Sequence, residues 1–326
     1  SPSAGDIVAV SDYTRTFATY NLQIDGQSKK IGGVAQDAIL TVDGQSATFV
    51  FVDDTEGWIN TQETQTSQTG ITGFIMATGG TPCTGAVCGD YKSHTFTGPG
   101  TFCISSVSPS APTNVAAYMV VAGGGGGGSG WRSGGGGAGG FREGTTSPVV
   151  PYTASPLVAA TGITVTASAY PIVIGGGGAG GGPAVATKGV DGSDSSFSTI
   201  TSTGGGKAGE ICESTPPNSA GNPGGSGGGG GGCTPGPGLG GSGNTPPTSP
   251  AQGTNGGAGS PLSPDSAGGG GGGATAVGSS TYSPATANVG GAGATTSISG
   301  SPTAYAGGGG GGQYVTIGSG NPAGGT

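Results

Sequence analysis

Tyr118-Met-Val-Val-Ala-Gly-Gly-Gly-Gly-Gly-Gly128, followed after five residues by Gly134-Gly-Gly-Gly-Ala-Gly-Gly140, is the stretch that decides the fold of this chain. A glycine run loses more backbone freedom on folding than any other sequence, so it becomes ordered only when nearly every amide and carbonyl finds a partner. Parallel packing of extended, left-handed threefold helices supplies such partners, because neighbouring backbones touch where side chains are absent. We therefore predict packed polyglycine-II helices. Glycine is expected at every position that is surrounded, and Ala, Ser or Asn only where one side faces solvent or a sheet.

Runs of this kind recur to the C-terminus. The chain has 81 glycines and 23 prolines among 326 residues, but no sustained Gly-X-Y period, which argues against a collagen triple helix. Only 7% of residues are charged, whereas disordered chains are usually kept open by charge, so order is favoured. The main tracts are Gly123 to Gly128, Gly134 to Gly140, Gly175 to Gly182, Gly204 to Gly206, Gly224 to Gly232, Gly268 to Gly273, Gly290 to Gly293 and Gly307 to Gly312.

The charge of the chain argues against nucleic acid as a partner, and its distribution indicates which interactions stabilise the C-terminal third. The net charge is -8, and the eight basic residues are scattered, so nucleic-acid binding is not expected. Beyond Glu213 the only charged residue is Asp265. Backbone hydrogen bonds and close packing must therefore hold that part of the chain.

The region before residue 122 is predicted to be all-β. Short apolar runs alternate with turns, including Asp-Gly pairs at 25–26 and 43–44, and no stretch has a helical period. The fold class is thus all-β N-terminal modules followed by a glycine-rich domain with short strands and essentially no α-helix. The predicted domains are a β attachment or oligomerisation module (1–62), a linker (63–90), strands leading into the glycine region (91–122) and the glycine-rich domain (123–326).

The five cysteines leave two interpretations open. Cys83 and Cys88 flank a short loop, and Cys212 and Cys233 bracket a loop rich in Pro and Gly, so two disulfides with Cys103 left over is one arrangement. The other is that all five are small buried residues in a particle assembled in the cytosol. The longest apolar stretch, 115–122, is too short to cross a bilayer, so no membrane insertion is expected.

We find no pattern that indicates catalysis, a cofactor or a metal site. Formal GxGxxG matches are uninformative in glycine runs, because no helix follows any of them. His94 is the only histidine and is expected to be a packed or edge-strand residue. Asp53, Asp54 and Glu56 could coordinate a cation, but a solvated turn is favoured, and Asp191 and Asp194 are interpreted as turn residues for the same reason.

Several residues between the tracts are candidates for binding or for closing the packed region. Trp131 and Arg132 lie between two tracts, where they could contact a receptor or, in the case of Trp131, cap the glycine packing. Tyr282 is a further receptor-contact candidate. Phe141 and Arg142 are interpreted as structural, since Phe can close an edge and Arg can satisfy open carbonyls. The glycines chosen to represent the scaffold are Gly123, Gly128, Gly175, Gly268 and Gly307.

These motifs, taken in order, carry a resemblance to a known family. Tyr118 to Gly128 with Gly134 to Gly144 resembles the glycine-rich domain of bacteriophage tail-fibre and adhesin proteins. Further matching pieces are Ile172 to Gly182, Asp194 to Thr201, Gly253 to Gly259 and Ser297 to Gly312. Residues 5–58 are similar, less specifically, to a β module of marine phage fibres. The resemblance implies a polyglycine-II scaffold, as in T-even phage adhesins, that displays variable loops to a bacterial surface receptor.

The sequence thus leads to the expectation of a non-enzymatic virion fibre or adhesin protein, exposed outside the cell. Expected partners are a bacterial surface glycan or outer-membrane protein, other appendage proteins and, by analogy with fibres, two further copies in a homotrimer. Two alternatives stay open: a capsid decoration or extracellular filament without receptor binding, and an ice-binding protein.

Overall fold

The computed structural model shows an all-β chain without helix in the part that it describes. That part comprises residues 2–64, 75–88, 91–108, 114–146, 152–182, 188–211, 219–232, 236, 238–261, 266–280, 288–313 and 323–326. It divides into two compact units. Unit 1 comprises Ser1–Phe74 with Ser108–Thr113, and unit 2 comprises Ile75–Val107 with Asn114–Thr326.

Unit 1 is built from five strands. They are β1 (Ile7–Ser11), β2 (Leu22–Ile24), β3 (Ala38–Leu40), β4 (Ser46–Asp53) and β5 (Gly57–Thr64). β1, β4 and β5 form an antiparallel sheet in that order, and β2 pairs with β3. The alternation along β4 turns Ala47, Phe49 and Phe51 inward, and Leu40 joins Ala47 and Phe49 in a small apolar core.

Two of the three turns predicted in unit 1, at 43–44 and 53–56, are confirmed, and the turn expected at 25–26 lies at 27–28 instead. Gly44 has a φ of +74°, and the carboxylate of Asp12 accepts its amide hydrogen bond at 3.0 Å. Between β4 and β5, Asp53 Oδ1 accepts the amides of Thr55 and Glu56, and Gly57 has a φ of +73°. These bonds lower the pKa of Asp53 and make this acidic segment a capped turn.

Unit 2 has fourteen short strands in the described part, and several of them adjoin glycine tracts. They are β6 (Met76–Thr78), β7 (Thr81–Cys88), β8 (Tyr91–Thr95), β9 (Gly100–Ser106), β10 (Val115–Ala116), β11 (Tyr118–Val121), β12 (Phe141–Gly144), β13 (Val158–Ala159), β14 (Ile163–Thr164), β15 (Ala169–Val173), β16 (Ser195–Phe197), β17 (Ile200–Ser202), β18 (Ala294–Thr296) and β19 (Thr303–Tyr305). The largest sheet has the order β17-β16-β15-β9-β6. Its apolar side contributes to a core around Ile104, Tyr118 and Val120.

The predicted linker at 63–90 is only partly a linker, because β6 and β7 belong to unit 2. β7 pairs with β8, and β6 pairs with β9. Cys83 and Cys88 lie on the same strand. A strand rises by about 3.3 Å per residue, which separates their Cα atoms by more than the roughly 7 Å that a disulfide permits. Cys83 is in fact a free, exposed thiol, as is Cys103, so neither the Cys83–Cys88 bond nor burial of these two thiols is found. Cys212 and Cys233 lie outside the described residues, and their pairing stays a prediction.

Extended glycine-rich tracts make up most of the rest of unit 2, and we number them in chain order. They are tract 1 (122–128), tract 2 (133–140), tract 3 (175–182), tract 4 (188–194), tract 5 (203–209), tract 6 (219–222), tract 7 (226–232), tract 8 (238–243), tract 9 (252–260), tract 10 (267–273), tract 11 (276–280), tract 12 (288–293), tract 13 (306–312) and tract 14 (323–326). We call them together the glycine array. They lie side by side and are joined by amide-to-carbonyl hydrogen bonds of about 2.6 to 3.2 Å.

Hydrogen bonding within the glycine array repeats every three residues. In tract 1, every third amide donates to tract 2: Ala122 to Gly140, Gly125 to Gly137 and Gly128 to Gly134. The next row of amides donates to tract 4: Gly123 to Ser193 and Gly126 to Val190. A backbone that returns to the same neighbour after three residues completes one turn in three residues. A polyglycine-II helix would have the same repeat, and the polyglycine-II conformation itself stays a prediction.

Tract 2 lies at the centre of the glycine array. Residues 133–140 are all buried, and the tract exchanges hydrogen bonds with tracts 1, 5, 7, 10 and 13. A Cβ atom added at Gly134 would lie 2.0 Å from the carbonyl oxygen of Gly229, and one at Gly136 would lie 2.0 Å from that of Gly125. Such distances leave no room for a side chain, so close backbone contact requires glycine here.

The expectation that every surrounded position must be glycine is too strict. Ala138 is 4% exposed and Ser226 is 0% exposed, although both lie within tracts. Ser226 fits because its hydroxyl donates to the carbonyl of Gly273 at 3.0 Å, and because the residue it faces, Gly253, has no side chain. A small side chain is therefore tolerated inside where the facing tract leaves room for it.

Candidate functional site

The direction of successive tracts alternates through the glycine array. The partners of tract 1 on tract 2 descend in number from Gly140 to Gly134, so these two tracts are antiparallel. Gly205 and Ala208 donate to Gly123 and Gly126, so tract 5 runs parallel to tract 1. We call the end where Gly128 and Gly134 lie the loop end, and the end where Ala122 and Gly140 lie the strand end.

Alternation brings one set of connections to each end. At the strand end, tracts are joined by β12 to β15, by the β16–β17 hairpin, by the β18–β19 hairpin and by short turns. At the loop end, tracts 1 and 2 are joined by residues 129–132. The described chain also leaves the glycine array at this end at Gly182, Ile211, Gly232, Pro261, Ser280 and Gln313, and it re-enters at Lys188, Ser219, Gly238, Ser266, Asn288 and Ala323.

The connection between tracts 1 and 2 is a tight, internally bonded loop. The hydroxyl of Ser133 donates to the carbonyls of Gly128 at 3.0 Å and Gly130 at 2.9 Å. Gly130 has a φ of +85°, which glycine adopts without strain, and a Cβ there would lie 2.8 Å from Ile211 Cδ1. The loop is thus fixed at its base on both sides.

This fixed base presents Trp131 to solvent at the loop end. Trp131 is 74% exposed and Arg132 is half-buried, while the carbonyl of Arg132 accepts the Gly232 amide at 2.7 Å. The exposure of the indole argues against the alternative in which Trp131 caps the glycine packing. Tyr282 lies outside the described residues, between Ser280 and Asn288, which flank it at the same end.

The predicted scaffold residues occupy structural positions. The amides of Gly123, Gly128 and Gly268 donate to carbonyls of neighbouring tracts, and that of Gly175 donates to the hydroxyl of Ser195. A Cβ at Gly307 would lie 2.0 Å from the carbonyl oxygen of Gly325. At each of these five glycines a Cβ atom would lie within 2.6 Å of a backbone oxygen, so close packing requires glycine there.

Phe141 is a buried residue at the strand end of the glycine array, and the role predicted for it, closing an edge of the packing, stays a prediction. It is 1% exposed, packs with Ala274 and Ala294, and donates its amide to the carbonyl of Gln252. Arg142 is half-buried on the other side of β12, and the role predicted for it, satisfying open carbonyls, stays a prediction.

Glu143 is a buried carboxylate that sequence reasoning did not single out. It is 1% exposed; its Oε1 accepts the Thr296 hydroxyl at 2.7 Å and its Oε2 accepts the Ser155 amide at 2.9 Å. Burial, and then the neighbouring Glu143 carboxylate, raise the pKa of Tyr152 well above its ordinary value. The signal available in the sequence was the two-residue alternation from Phe141, which places Glu143 on the same side of the strand.

Asp191 and Asp194 do more than terminate turns. They lie three residues apart on tract 4, and they accept the amides of Lys207 at 2.7 Å and Gly204 at 2.8 Å, which lie three apart on tract 5. Asp191 also accepts the side-chain amide of Asn222. The two carboxylates thus take the place of backbone carbonyls as acceptors in the three-residue hydrogen-bond pattern. The interpretation of Asp191 and Asp194 as turn residues is therefore incomplete.

Gln252 organises the turn between tracts 8 and 9. It is fully buried; its side chain accepts the Thr203 amide at 2.8 Å and donates to the carbonyl of Pro246 at 2.9 Å. Asn244, with a φ of +50°, accepts the amides of Thr248 and Gln252. A long polar residue beside a glycine tract is the sequence signal that marks such a position.

The single histidine has packing and hydrogen-bonding partners in unit 2. His94 Nδ1 lies 2.8 Å from the carbonyl oxygen of Gly79, and its ring packs edge-on against Phe102 at 5.1 Å, which confirms a packed histidine. Among the residues that the structure describes, no three His, Cys, Asp or Glu side chains are grouped so as to hold a metal ion.

Comparison with known proteins identifies the larger part of the chain. A family model described as the glycine-rich domain matches residues 95–326. The chain belongs to the glycine-rich domain family. The match begins at the end of β8 and covers all the tracts of the array. A search of curated proteins gave no match, and no helix in the described ranges is long and apolar enough to span a membrane.

Proposed function

We propose that this chain is a non-enzymatic fibre or adhesin protein of a bacteriophage, in which a polyglycine-II scaffold presents one end to a receptor on a bacterial surface. The observation that carries the proposal is the alternating direction of the tracts, which gathers one set of connections at the loop end. Membership of the glycine-rich domain family and the ordered resemblance of the motifs support the same assignment.

The threefold period supports a stiff scaffold. Each of tracts 5, 7 and 10 directs its three rows of amides to three different sets of acceptors. Bending one tract would break bonds to several neighbours at once, and each broken bond leaves a buried polar group unpaired. The positions of the loop-end residues are therefore set by the whole array rather than by each loop alone.

Trp131 is the best-supported receptor contact. An exposed tryptophan on a fixed loop offers a large contact area at low entropic cost, and the adjacent Arg132 is a residue type enriched in interfaces. A surface glycan or an outer-membrane protein suits such a site. The net charge of -8 argues against nucleic acid.

Binding of the purified full chain to susceptible bacteria tests this function. We expect Trp131→Ala to weaken binding by about tenfold or more, because truncating a central aromatic anchor commonly costs above about 2 kcal/mol. Tyr20→Ala is the matched control, because Tyr20 is equally exposed, at 74%, but lies in unit 1. Equal loss in both variants, or none in Trp131→Ala, would reject this contact. Absence of binding by the wild-type chain to every strain tested would leave a structural role in a capsid or filament.

A further inference from the structure

Unit 1 contains a cavity of about 450 Å³, lined by residues of β1, β2, β4 and β5 and of the connection after β2. Its volume falls within the roughly 300–1,000 Å³ that small-molecule sites occupy in proteins. The lining combines apolar side chains from four strands with polar side chains from one loop. The apolar residues used below are Phe49 and Trp58, and the polar ones are Asp25, Gln27 and Lys29.

Trp58 forms an aromatic wall whose position is fixed by the backbone on both sides. Its amide donates to the carbonyl of Lys30 at 2.8 Å, and its carbonyl accepts the amide of Gly32 at 2.8 Å. Its ring packs edge-on against Phe51, with centroids 5.4 Å apart. Phe49, which is 4% exposed, also lines the cavity. The wall is therefore rigid and keeps an accessible aromatic surface.

The polar loop is held in a specific and costly conformation. Gln27 and Ser28 have φ values of +53° and +67°, two successive non-glycine residues in the left-handed region. Such strain concentrates at ligand clamps and switch regions. Gly26 is required, because a Cβ there would lie 2.3 Å from the carbonyl oxygen of Lys29.

Within this loop, both hydrogen-bond donors and hydrogen-bond acceptors remain available to a ligand. Asp25 Oδ1 accepts the Gln27 amide at 2.7 Å, whereas Asp25 Oδ2 and the Gln27 side-chain amide make no hydrogen bond to another described residue. The Lys29 ammonium pairs with Asp54 and keeps further donors. The lining thus supplies a carboxylate that accepts hydrogen bonds, a side-chain amide that donates and accepts them, and an ammonium group that donates them, together with the indole of Trp58.

We propose that this cavity binds a neutral saccharide of one or two rings. A sugar ring has an apolar C–H face that suits the indole of Trp58, and hydroxyls that both donate and accept, which suits Asp25, Gln27 and Lys29. A phosphate or other anion would face the Asp25 carboxylate, and a purely apolar ligand would leave these polar groups unpaired. This saccharide site consists of unit 1 residues, whereas the receptor contact proposed at Trp131 belongs to unit 2.

Titration of the full chain with neutral mono- and disaccharides tests the site. The chain has two tryptophans, so Trp131→Phe leaves Trp58 as the only indole and also removes the proposed receptor contact. We expect a saturable change in Trp58 fluorescence with at least one sugar, matched by binding heat in calorimetry. Asp25→Asn should weaken that binding by about tenfold or more, because it replaces the free acceptor by a donor while an acceptor remains for the turn.

Asp37→Asn is the matched control, because Asp37 is an exposed carboxylate of unit 1 that does not line the cavity. It should bind the sugar as the parent does. The proposal is overturned if no sugar gives a saturable change, or if Asp25→Asn binds as tightly as the parent with an unchanged melting temperature. Loss of cell binding in Trp131→Ala would leave this result unaffected, so the two proposals fail independently.

Discussion

The hydroxyl of Thr296 donates a 2.7 Å hydrogen bond to the buried carboxylate of Glu143, 153 residues earlier in the chain. This bond joins β18, next to tract 12, to β12, next to tract 2. Because Glu143 also accepts the Ser155 amide, one carboxylate ties together three segments at the strand end of the glycine array.

Removing this bond should destabilise unit 2. Thr296→Val keeps the shape of the side chain but removes a hydrogen-bond donor from a buried carboxyl oxygen, which costs about 1–3 kcal/mol in the free energy of unfolding. Thr295→Val is the matched control, since Thr295 lies on the same strand but is exposed. Chemical denaturation of both variants measures the difference, and equal stabilities would show that the bond contributes nothing.

Glycine positions in the array should differ sharply in their tolerance of a methyl group. Gly136→Ala places a Cβ 2.0 Å from the carbonyl oxygen of Gly125, so we expect a loss above about 4 kcal/mol or no soluble protein. Gly127→Ala meets nothing within 4 Å, and restriction of the unfolded chain should make it neutral or more stable by about 0.4–1 kcal/mol. Soluble yield and melting temperature distinguish the two. Similar behaviour of both variants would contradict the close packing of tract 2.

Amide exchange should map the inside and the edge of the glycine array. The amide of Gly137, bonded to Gly206 within the buried centre, should exchange only on global or sub-global unfolding. The amides of Gly176 and Gly180 on tract 3 are exposed and donate to no acceptor in the described part, so they should exchange fast. Residue-specific hydrogen exchange measures this contrast. Fast exchange at Gly137 as well would mean that the tracts are flexible tethers.

Unit 1 should lose stability in acid through Asp12. Burial favours the neutral form of this side chain, but backbone hydrogen bonds from Phe17, Thr16, Gly44 and Arg15 outweigh burial and lower its pKa. A lowered pKa contributes stability that is present above the unfolded-state value, about 3.9, and is lost as pH falls through the lower folded-state value.

The substitution Asp12→Asn should therefore lower the melting temperature of unit 1 at neutral pH and weaken its dependence on pH below about 4. In a Trp131→Phe background, where Trp58 is the only tryptophan, fluorescence during thermal unfolding follows this unit. Asp54→Asn is the control, because Asp54 forms an exposed pair with Lys29 that should contribute little. An acid response in Asp12→Asn equal to that of the wild type would exclude Asp12 as its source.

The general architecture could be predicted because a single glycine run cannot satisfy its own backbone hydrogen bonds. Runs without side chains must either stay disordered or pair their backbones with one another, and the hydrogen bonds of tract 1 repeat at the predicted period of three. The all-β character predicted for the N-terminal region is confirmed, for example in β4, whose alternating apolar residues need one buried face.

Other features could not be predicted because they depend on partners distant in sequence. Asp191 and Asp194 look like turn residues until tract 5 places amides three residues apart opposite them. β7 reads as linker because its Thr and Gly residues have no apolar alternation, and pairing with β8 makes it a strand. Glycine runs also carry no mark of direction, so the gathering of connections at the loop end became visible only in the fold.

The three-residue repeat of tract 1 restricts how such a protein can change in length. One residue inserted within a tract would rotate every later amide by a third of a turn, so each would face the wrong neighbour. Three inserted residues would restore the original partners and lengthen the tract by roughly 9 Å. Insertions and deletions inside the tracts should thus be tolerated only in multiples of three residues, whereas the connecting segments should tolerate changes of any length.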